Sequence, residues 1–196
     1  MDTPGLSDFL PETFLKWLRR FTGPLPEDIN EYLSPGKSFM DVGAGNGYLL
    51  STITPTKLLY AVEVWDKKID YLKRTLPTVT VFKDIYIIRQ AFDVVANIDV
   101  LHHISDNAER RRFLKKLFSI VVPGGVLIIK EMRDDLLFRK YFNRFSDFVS
   151  TGSRTKEMNA RELIDGLEDS GFKILRFIQY TAGAYGHYYI VAQKRG

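Results

Sequence analysis

From Lys37 onward, short runs of β-branched and other apolar residues alternate with longer amphipathic segments. This alternation is typical of strand-helix-strand units, in which helices cover both faces of a parallel sheet. The pattern therefore predicts an α/β fold. The predicted strands are Ser38 to Val42, Leu58 to Val64, Val79 to Phe82, Phe92 to Ala96 and Val126 to Lys130.

Three segments repeat apolar residues at the spacing of a helix, and they are Lys67 to Leu76, Asp106 to Ile120 and Ala160 to Ser170. Each begins next to a residue whose side chain can accept a hydrogen bond from the first backbone amides of a helix. These predicted caps are Asp66, Asp106 and Asn159.

The two ends of the chain depart from the alternation. Phe172 to Tyr180 and His187 to Gln193 are strand-like, and the connection between them is too short for a crossover helix. They are therefore predicted to be antiparallel, which makes the sheet mixed. Pro11 to Phe21 carries an apolar stripe, so we expect residues 1–36 to form a helical cap over the core or over the mouth of a site.

Composition limits the class of protein. The chain has 196 residues, of which 45% are hydrophobic, and this length suits a single domain over residues 1–196. No cysteine is present, which excludes disulfides, thiolate metal sites and a cysteine nucleophile. The apolar runs are far shorter than the roughly 20 residues of a membrane-spanning helix, and the N-terminal residues do not read as a secretory signal. We expect a cytoplasmic protein without a membrane span.

A glycine-rich turn carries the strongest chemical signal. The segment FMDVGAGNGYLL, residues 39–50, runs from a predicted strand ending in Asp41 through Gly43, Gly45 and Gly47 into a helix. Glycines at such a turn allow a positive φ angle and a close approach to a ligand, and free amides at a helix start favour a negative group. Since no Lys-Ser or Lys-Thr follows, a phosphate-binding nucleotidase loop is not predicted.

Two acidic residues follow at the ends of the next two strands. Glu63 lies about 20 residues after the first strand, where a carboxylate can accept hydrogen bonds from ribose hydroxyls. Asp84 could accept from an exocyclic adenine amine, with Trp65 and Ile85 as apolar faces for the ring. Taken singly, Glu63 can be an exposed strand end and Asp84 a turn residue. The order of glycine turn, acid and acid, each at the carboxyl end of a strand, favours a nucleoside site.

With these motifs the sequence resembles the class I S-adenosylmethionine-dependent methyltransferases. DVGAGNG is similar to the first motif of that family, AVEV to its ribose-binding acid, FKDI to its adenine-side acid, and FDVVANIDVLHHISD and VVPGGVLIIKE to its fourth and fifth strand motifs. The residues of the last two motifs are most similar to those of the small-molecule branch, including the quinone-biosynthesis type.

The resemblance implies a doubly wound, seven-stranded mixed sheet of order 3-2-1-4-5-7-6 with an antiparallel last strand, a Rossmann-like methyltransferase fold. It also implies S-adenosylmethionine as cofactor, with S-adenosylhomocysteine as product, bound across the ends of strands 1, 2 and 4. The residues expected to bind it are Asp41, Gly43, Gly45, Gly47, Glu63, Val64, Trp65, Asp84, Ile85 and Asn97.

A sulfonium cofactor already carries an activated methyl group, so the protein has mainly to align an acceptor and exclude water. If the acceptor must lose a proton, His103 or His102 can take it, although either histidine can instead cap the next helix or fill space. Asn97, Asp99 and Glu131 offer hard oxygen ligands for a metal-assisted variant, but we predict no metal. Asn97 is followed by Ile98 rather than by prolines, which argues against exocyclic base nitrogens as acceptor atoms.

Residues 132–158 form an additional segment with aromatic residues at helical spacing. It is predicted to be either a helical roof over a planar or hydrophobic acceptor or a further core helix. A basic run lies on the predicted helix Asp106 to Ile120. We expect its side chains to form a solvated face rather than a surface that binds nucleic acid. Its members are Arg110, Arg111, Arg112, Lys115 and Lys116.

We therefore predict methyl transfer from S-adenosylmethionine to a small-molecule acceptor by in-line displacement. The alternatives are an RNA methyltransferase, which needs basic residues around the pocket and steeply salt-dependent binding, and a protein that binds the cofactor without turnover. A nicotinamide-dependent oxidoreductase is less favoured, because the turn reads Gly-x-Gly-x-Gly and the final strand is reversed.

Overall fold

A computed structural model describes residues 29–133, 159–182 and 185–196 of the chain. The predicted helix within Pro11 to Phe21 and the aromatic segment after Arg133 lie outside the described residues. The single domain, its helical cap and its insertion therefore stay predictions.

Seven strands form one sheet in the order β3-β2-β1-β4-β5-β7-β6. The strands are β1 Ser38–Val42, β2 Leu58–Val62, β3 Thr80–Phe82, β4 Phe92–Ile98, β5 Val121–Met132, β6 Phe172–Ala182 and β7 Tyr185–Lys194. Strand β7 is antiparallel to both of its neighbours, and the other pairs are parallel. The predicted fold class, strand order and reversed last strand are confirmed.

The helices of the described chain are α1 Tyr48–Thr52, α2 Asp66–Thr75, α3 Asn107–Ser119 and α4 Ala160–Asp169, with 3-10 turns at Ile85–Ile87 and Leu101–His103. Two predicted caps are confirmed, since Asp106 accepts from the Glu109 amide at 2.7 Å and Asn159 from the Arg161 amide at 2.8 Å. The prediction for Asp66 was wrong. It is the first residue of α2, and its carboxylate pairs with Lys83 at 2.7 Å.

Alternate residues along the strands pack in two apolar cores, one on each face of the sheet. Met40, Val95 and Leu127 pack with residues of α3 and α4, whereas Phe39 and Val94 pack with residues of α1 and α2. The molecule therefore has three layers, with the sheet in the middle. None of the helices in the described ranges is both long and apolar enough to cross a membrane.

The register brings the carboxyl ends of the parallel strands to one edge of the sheet. Val42 of β1 pairs with Val62 of β2 and with Asn97 of β4, and Val62 pairs with Phe82 of β3. The residues that follow these positions lie together for this reason. This edge is where open α/β sheets bind ligands.

Strand β5 is longer than predicted. It begins at Val121 and continues through the Pro-Gly-Gly sequence that we expected to precede it. The register against β4 shifts between Phe92 and Val94 to accommodate the extra residues. Gly125 is needed there, because a Cβ on it would lie 2.9 Å from the carbonyl oxygen of Asp93.

Candidate active site

The glycine turn after β1 combines two close-packed positions with one open position. Gly43, Gly45 and Gly47 have φ angles of 85°, 56° and 74°, which are left-handed and favour glycine. A Cβ on Gly43 would collide with Val100, and one on Gly47 would lie 2.5 Å from Leu72. Among the described residues, no atom would lie within 4 Å of a Cβ on Gly45. Space for a bound molecule therefore lies beside Gly45.

Glu63 lies next to this space and is held in one orientation. One carboxylate oxygen accepts from the Gly45 amide at 2.8 Å, and the other accepts from the Val64 amide at 2.8 Å and the Trp65 amide at 3.0 Å. The residue is only 6% exposed. A carboxylate has about four lone-pair positions, so a hydroxyl donor can still be accommodated. The predicted members Gly45, Glu63, Val64 and Trp65 are thus brought into direct contact.

The residues predicted to contact the adenine ring differ in their exposure. Asp84 is exposed and accepts from the Tyr86 amide at 2.8 Å, so it caps the 3-10 turn. Ile85 is 5% exposed and belongs to the core, whereas Val64 is 59% and Trp65 36% exposed. The Lys68 ammonium lies 4.0 Å from the centre of the Trp65 ring. Val64 and Trp65 are therefore the more accessible apolar surfaces.

Asn97 contributes an unsatisfied acceptor. Its side-chain amide donates to the Val42 carbonyl at 3.1 Å, and its Oδ1 is buried with no hydrogen-bond partner within the described residues. Asp41, the other predicted polar residue of the sheet here, is 3% exposed. An unsatisfied buried acceptor is a group that a bound molecule can satisfy. Together with the space at Gly45 and the Glu63 carboxylate, this donor and acceptor set fits S-adenosylmethionine.

A second polar cluster lies at the ends of β4 and β5. Nδ1 of His102 lies 2.6 Å from one carboxylate oxygen of Glu131, and the two side chains are 3% and 1% exposed. The other oxygen of Glu131 accepts from the amides of Val100 and Leu101, at 2.9 Å and 2.6 Å. One buried carboxylate therefore connects β5 to the turn that carries His102.

Asp99 and Lys130 form an ion pair in the same cluster. Lys130 is 1% exposed, and its ammonium donates to the Asp99 carboxylate. Asp99 has a φ of 55°, unusual for a residue with a side chain. Desolvation alone would raise the pKa of Asp99, but the interactions with Lys130, His102 and His187 outweigh it and lower this pKa. Asp99 is therefore ionised at neutral pH.

The other two histidines are neutral at neutral pH. Desolvation, followed by the charge of His102, lowers the pKa of His103 to about 4. Desolvation, followed by the charge of Lys130, lowers the pKa of His187 to about 4. His103 lies beside His102 with ring centres 4.2 Å apart and ring planes tilted by 47°, and His187 stacks on Tyr180 at 5.4 Å.

The cluster resembles a metal site in composition but not in bonding. Asp99, His102 and Glu131 each place one ligand atom within 4.8 Å of the others. However, Asp99 is bonded to the Lys130 ammonium, and both oxygens of Glu131 already accept hydrogen bonds. Asn97, which the sequence grouped with these residues, binds the Val42 carbonyl instead. The geometry favours a hydrogen-bonded network over a metal centre.

Sequence reasoning missed the contact between His102 and Glu131 and did not single out Lys130. The sequence feature that could have revealed them is the charged pair Lys130 and Glu131, which directly follows the apolar run VLII in β5. Strands of a parallel sheet are normally apolar at such positions. The basic run also differs from prediction in part. Arg110 is 5% exposed and donates to the Ile104 carbonyl at 2.6 Å, so it is not on the solvated face.

Comparison with known proteins agrees with this fold and site. Residues 14–176 match a family described as a methyltransferase domain. A protein of Mycolicibacterium smegmatis named as an S-adenosylmethionine-dependent methyltransferase is 24% identical over 144 residues, covering 71% of this chain and 53% of that protein. The chain thus spans about half the length of this curated relative.

Two solved structures have the same fold. A chain in the complex of the Haloferax volcanii Trm112 methyltransferase activator with a methyltransferase aligns with a TM-score of 0.77 at 10% identity, over 100% of both chains. Magnesium protoporphyrin IX methyltransferase of Synechocystis, solved with S-adenosylhomocysteine, aligns with a TM-score of 0.66 at 19% identity, over 96% of this chain and 98% of that one.

The strand order and the family match together define a Rossmann-like methyltransferase domain. The chain belongs to the class I S-adenosylmethionine-dependent methyltransferases, whose methyl donor is S-adenosylmethionine.

Proposed function

We propose that the chain transfers the methyl group of S-adenosylmethionine to a small-molecule acceptor. The observation that carries this proposal is the open space at Gly45, bounded by a Glu63 carboxylate that three backbone amides hold in place. A fixed acceptor group beside an open glycine turn suits a nucleoside sugar better than a packing role does.

The residues around this space are assigned distinct roles toward the cofactor. Glu63 accepts from the ribose hydroxyls, and Val64 and Trp65 offer apolar surface to the adenine ring. The buried Oδ1 of Asn97 accepts from the ammonium of the amino-acid portion. Asp84 caps its turn and remains exposed, so it can also accept from the adenine amine at the rim.

The bound cofactor supplies an activated methyl group on a sulfonium. The chain then has to orient the acceptor, keep water out and receive a proton if the acceptor atom carries one. His102 is the better placed proton acceptor of the two predicted histidines, because Glu131 orients its ring. His103 is a weak base, since its pKa is lowered to about 4.

The charges of the basic run support a small acceptor over RNA. Arg110 donates to the Ile104 carbonyl and Lys116 to the Ile88 carbonyl at 2.7 Å, so both bind the chain itself. One observation favours RNA as the second candidate. Lys67, Lys73 and Arg74 of α2, with Asp70, line a cleft of about 590 Å³.

Transfer of labelled methyl distinguishes these functions. The protein is incubated with S-adenosylmethionine carrying a radioactive methyl group and a cell extract, and the products are separated into low-mass and macromolecular fractions. We expect label in the low-mass fraction, lost in Glu63→Ala and retained in the matched surface variant Glu168→Ala. Label that is sensitive to ribonuclease would instead identify an RNA methyltransferase. Cofactor binding by calorimetry without any labelled product would identify a non-catalytic binder.

A further inference from the structure

The two edges of the sheet differ in length. The edge strand β3 has only the three residues Thr80–Phe82, whereas the edge strand β6 has the eleven residues Phe172–Ala182. β6 is the last strand in the sheet order, so its outer side pairs with no strand of the described chain. Folded proteins usually protect such an edge by keeping the strand short or by placing proline or charge on it. β3 follows this rule, but β6 is long and contains no proline.

The side chains of β6 are apolar on both faces of the sheet. Leu175 is 43% exposed, and Phe177 and Ile178 are each 41% exposed. Phe177 pairs with Ile190 on the face that carries α3 and α4. Ile178 pairs with Tyr189 on the opposite face. Apolar residues on both faces are typical of a strand inside a sheet that is covered on both sides, so β6 has the composition of an internal strand.

The charges of β6 do not require an acidic partner. The strand carries two cations, Lys173 and Arg176, and no acidic residue. The Arg176 guanidinium lies 3.4 Å from the carboxylate of Glu31, so its charge is partly balanced within the chain. A strand with little net charge and three exposed apolar side chains fits a partner strand of the same kind.

We propose that β6 pairs antiparallel with β6 of a second copy of this chain, about a two-fold axis at Phe177. Phe177 is the middle residue of β6, so this axis gives the two strands their greatest overlap. Phe177 then faces Phe177 of the second copy, and Arg176 faces Ile178. Lys173 lies toward the end that carries Thr181. No like charges face each other, whereas an axis at Arg176 would bring two guanidinium groups together.

The extent of this contact suits a dimer of moderate affinity. An antiparallel pair of about nine residues forms about eight to ten backbone hydrogen bonds, as many as a typical interface has. The exposed parts of three apolar side chains in each copy amount to roughly 500 Å² together, which is about a third of a standard interface. A second β6 therefore satisfies both the unpaired backbone and the exposed apolar surface of the first.

The pairing also closes the assembly. A two-fold axis uses the same surface on both copies, so neither copy keeps a free β6 edge. The combined sheet then ends at the short strand β3 on each side. The described chain therefore offers no second long edge to a third copy, and we expect a dimer rather than a fibre.

The mass in solution tests whether the dimer forms. Sedimentation equilibrium of the wild type at up to about 100 μM, above the micromolar Kd of the weaker standard-sized interfaces, should give twice the 22.6 kDa of one chain. Phe177→Lys should give the mass of one chain, because two ammonium groups would face each other at the axis. The matched control is Leu58→Lys, since Leu58 is 45% exposed but lies in β2, and it should stay dimeric. A monomeric wild type, or a dimer that Phe177→Lys leaves intact, would overturn the proposal.

A disulfide tests the position of the axis, because the chain contains no cysteine of its own. Paired Cα atoms in antiparallel strands are about 4.5 to 5.5 Å apart, which is within the range that a disulfide spans. Phe177→Cys should therefore link two chains under mild oxidation, as seen on a non-reducing gel. In Gln179→Cys the two thiols would belong to residues about 13 Å apart along the strands, and no link is expected. Equal linkage in both variants, or linkage in Gln179→Cys alone, would refute an axis at Phe177.

A mixture of two charge variants separates pairing from folding. Phe177→Lys and Phe177→Glu should each be monomeric, with the circular dichroism spectrum of the wild type. Their equimolar mixture should recover the dimer, because an ammonium group then faces a carboxylate at the axis. A mixture without any dimer would contradict the proposal, and the disulfide test decides if either charge variant fails to fold. None of these measurements uses methyl transfer, so their outcome is independent of the proposed function.

Discussion

The edge of the sheet has two halves that differ in the groups that form them. The half formed by β1 and β2 uses mainly backbone, since left-handed glycines and amide groups surround the carboxylate of Glu63. The half formed by β4 and β5 uses buried charged side chains, in which Glu131 and Lys130 bind His102 and Asp99. The first half therefore offers backbone groups and one fixed acceptor to a ligand, whereas the second half is a network of buried ionisable groups.

The two halves meet along the β1–β4 pair, and Gly43 makes one of the contacts between them. Gly43 of the first half leaves no space for a side chain, because Val100 of the second half occupies it. A change at either position should therefore affect both halves, and the substitutions below use this contact and the contrast between the halves.

The largest expected effect is that of Gly43→Ala. The substitution adds strain at a φ of 85° and a collision with Val100, which together should lower the free energy of unfolding by about 2 to 5 kcal/mol. Gly36→Ala is the matched control, because Gly36 has a φ of 88° but its Cβ would have no atom within 4 Å in the described part of the chain. Urea denaturation of both variants separates the two contributions. Adding Val100→Ala should restore part of the loss, and no restoration would disprove the contact between the halves.

Glu63→Ala comes next in size and tests the cofactor half alone. The loss of charged hydrogen bonds should weaken binding of S-adenosylhomocysteine by about 1.5 to 3 kcal/mol. Calorimetry measures this affinity, with Glu168→Ala as the control on α4. Unchanged affinity in Glu63→Ala would remove Glu63 from the site.

The buried histidines His187 and His103 should make the stability of the fold depend on pH in one direction. The pKa of His187 in the folded protein is about 4, below its ordinary value of 6.5. Between these pH values the unfolded chain binds a proton that the folded chain does not, so stability falls as the pH is lowered from about 6.5 to 4. His103 adds to this in the same direction. In denaturation at a series of pH values, His187→Gln should flatten the fall, and an unchanged slope would contradict the neutral, buried state of His187.

The smallest effect is expected for Asp84→Asn. This substitution tests whether the cofactor site extends as far as Asp84. Asparagine keeps the hydrogen bond to the Tyr86 amide, so the free energy of unfolding should change by less than about 0.5 kcal/mol. Affinity for S-adenosylhomocysteine should fall by about 1 kcal/mol or less, because the carboxylate is exposed. A tenfold or greater loss would show that Asp84 belongs to the centre of the site.

The contrast between the halves also explains what the sequence could predict. The glycines and Glu63 leave a local signal, because a turn that needs positive φ angles restricts residue type within a few positions. The alternation predicted the α/β fold, and the resemblance to known methyltransferases implied the strand order. The pairing of Glu131 with His102 joins a residue of β5 to a residue of the turn after β4, and no local pattern reports which side chains meet over such a separation. Asp66 was misjudged because its partner Lys83 also lies beyond the local window.

A crystal structure with S-adenosylhomocysteine would test the central claim most directly. We expect the nucleoside beside Gly45, with both ribose hydroxyls within hydrogen-bond distance of the Glu63 carboxylate. A nucleoside bound elsewhere, or a Glu63 carboxylate that keeps only its three backbone partners, would contradict it.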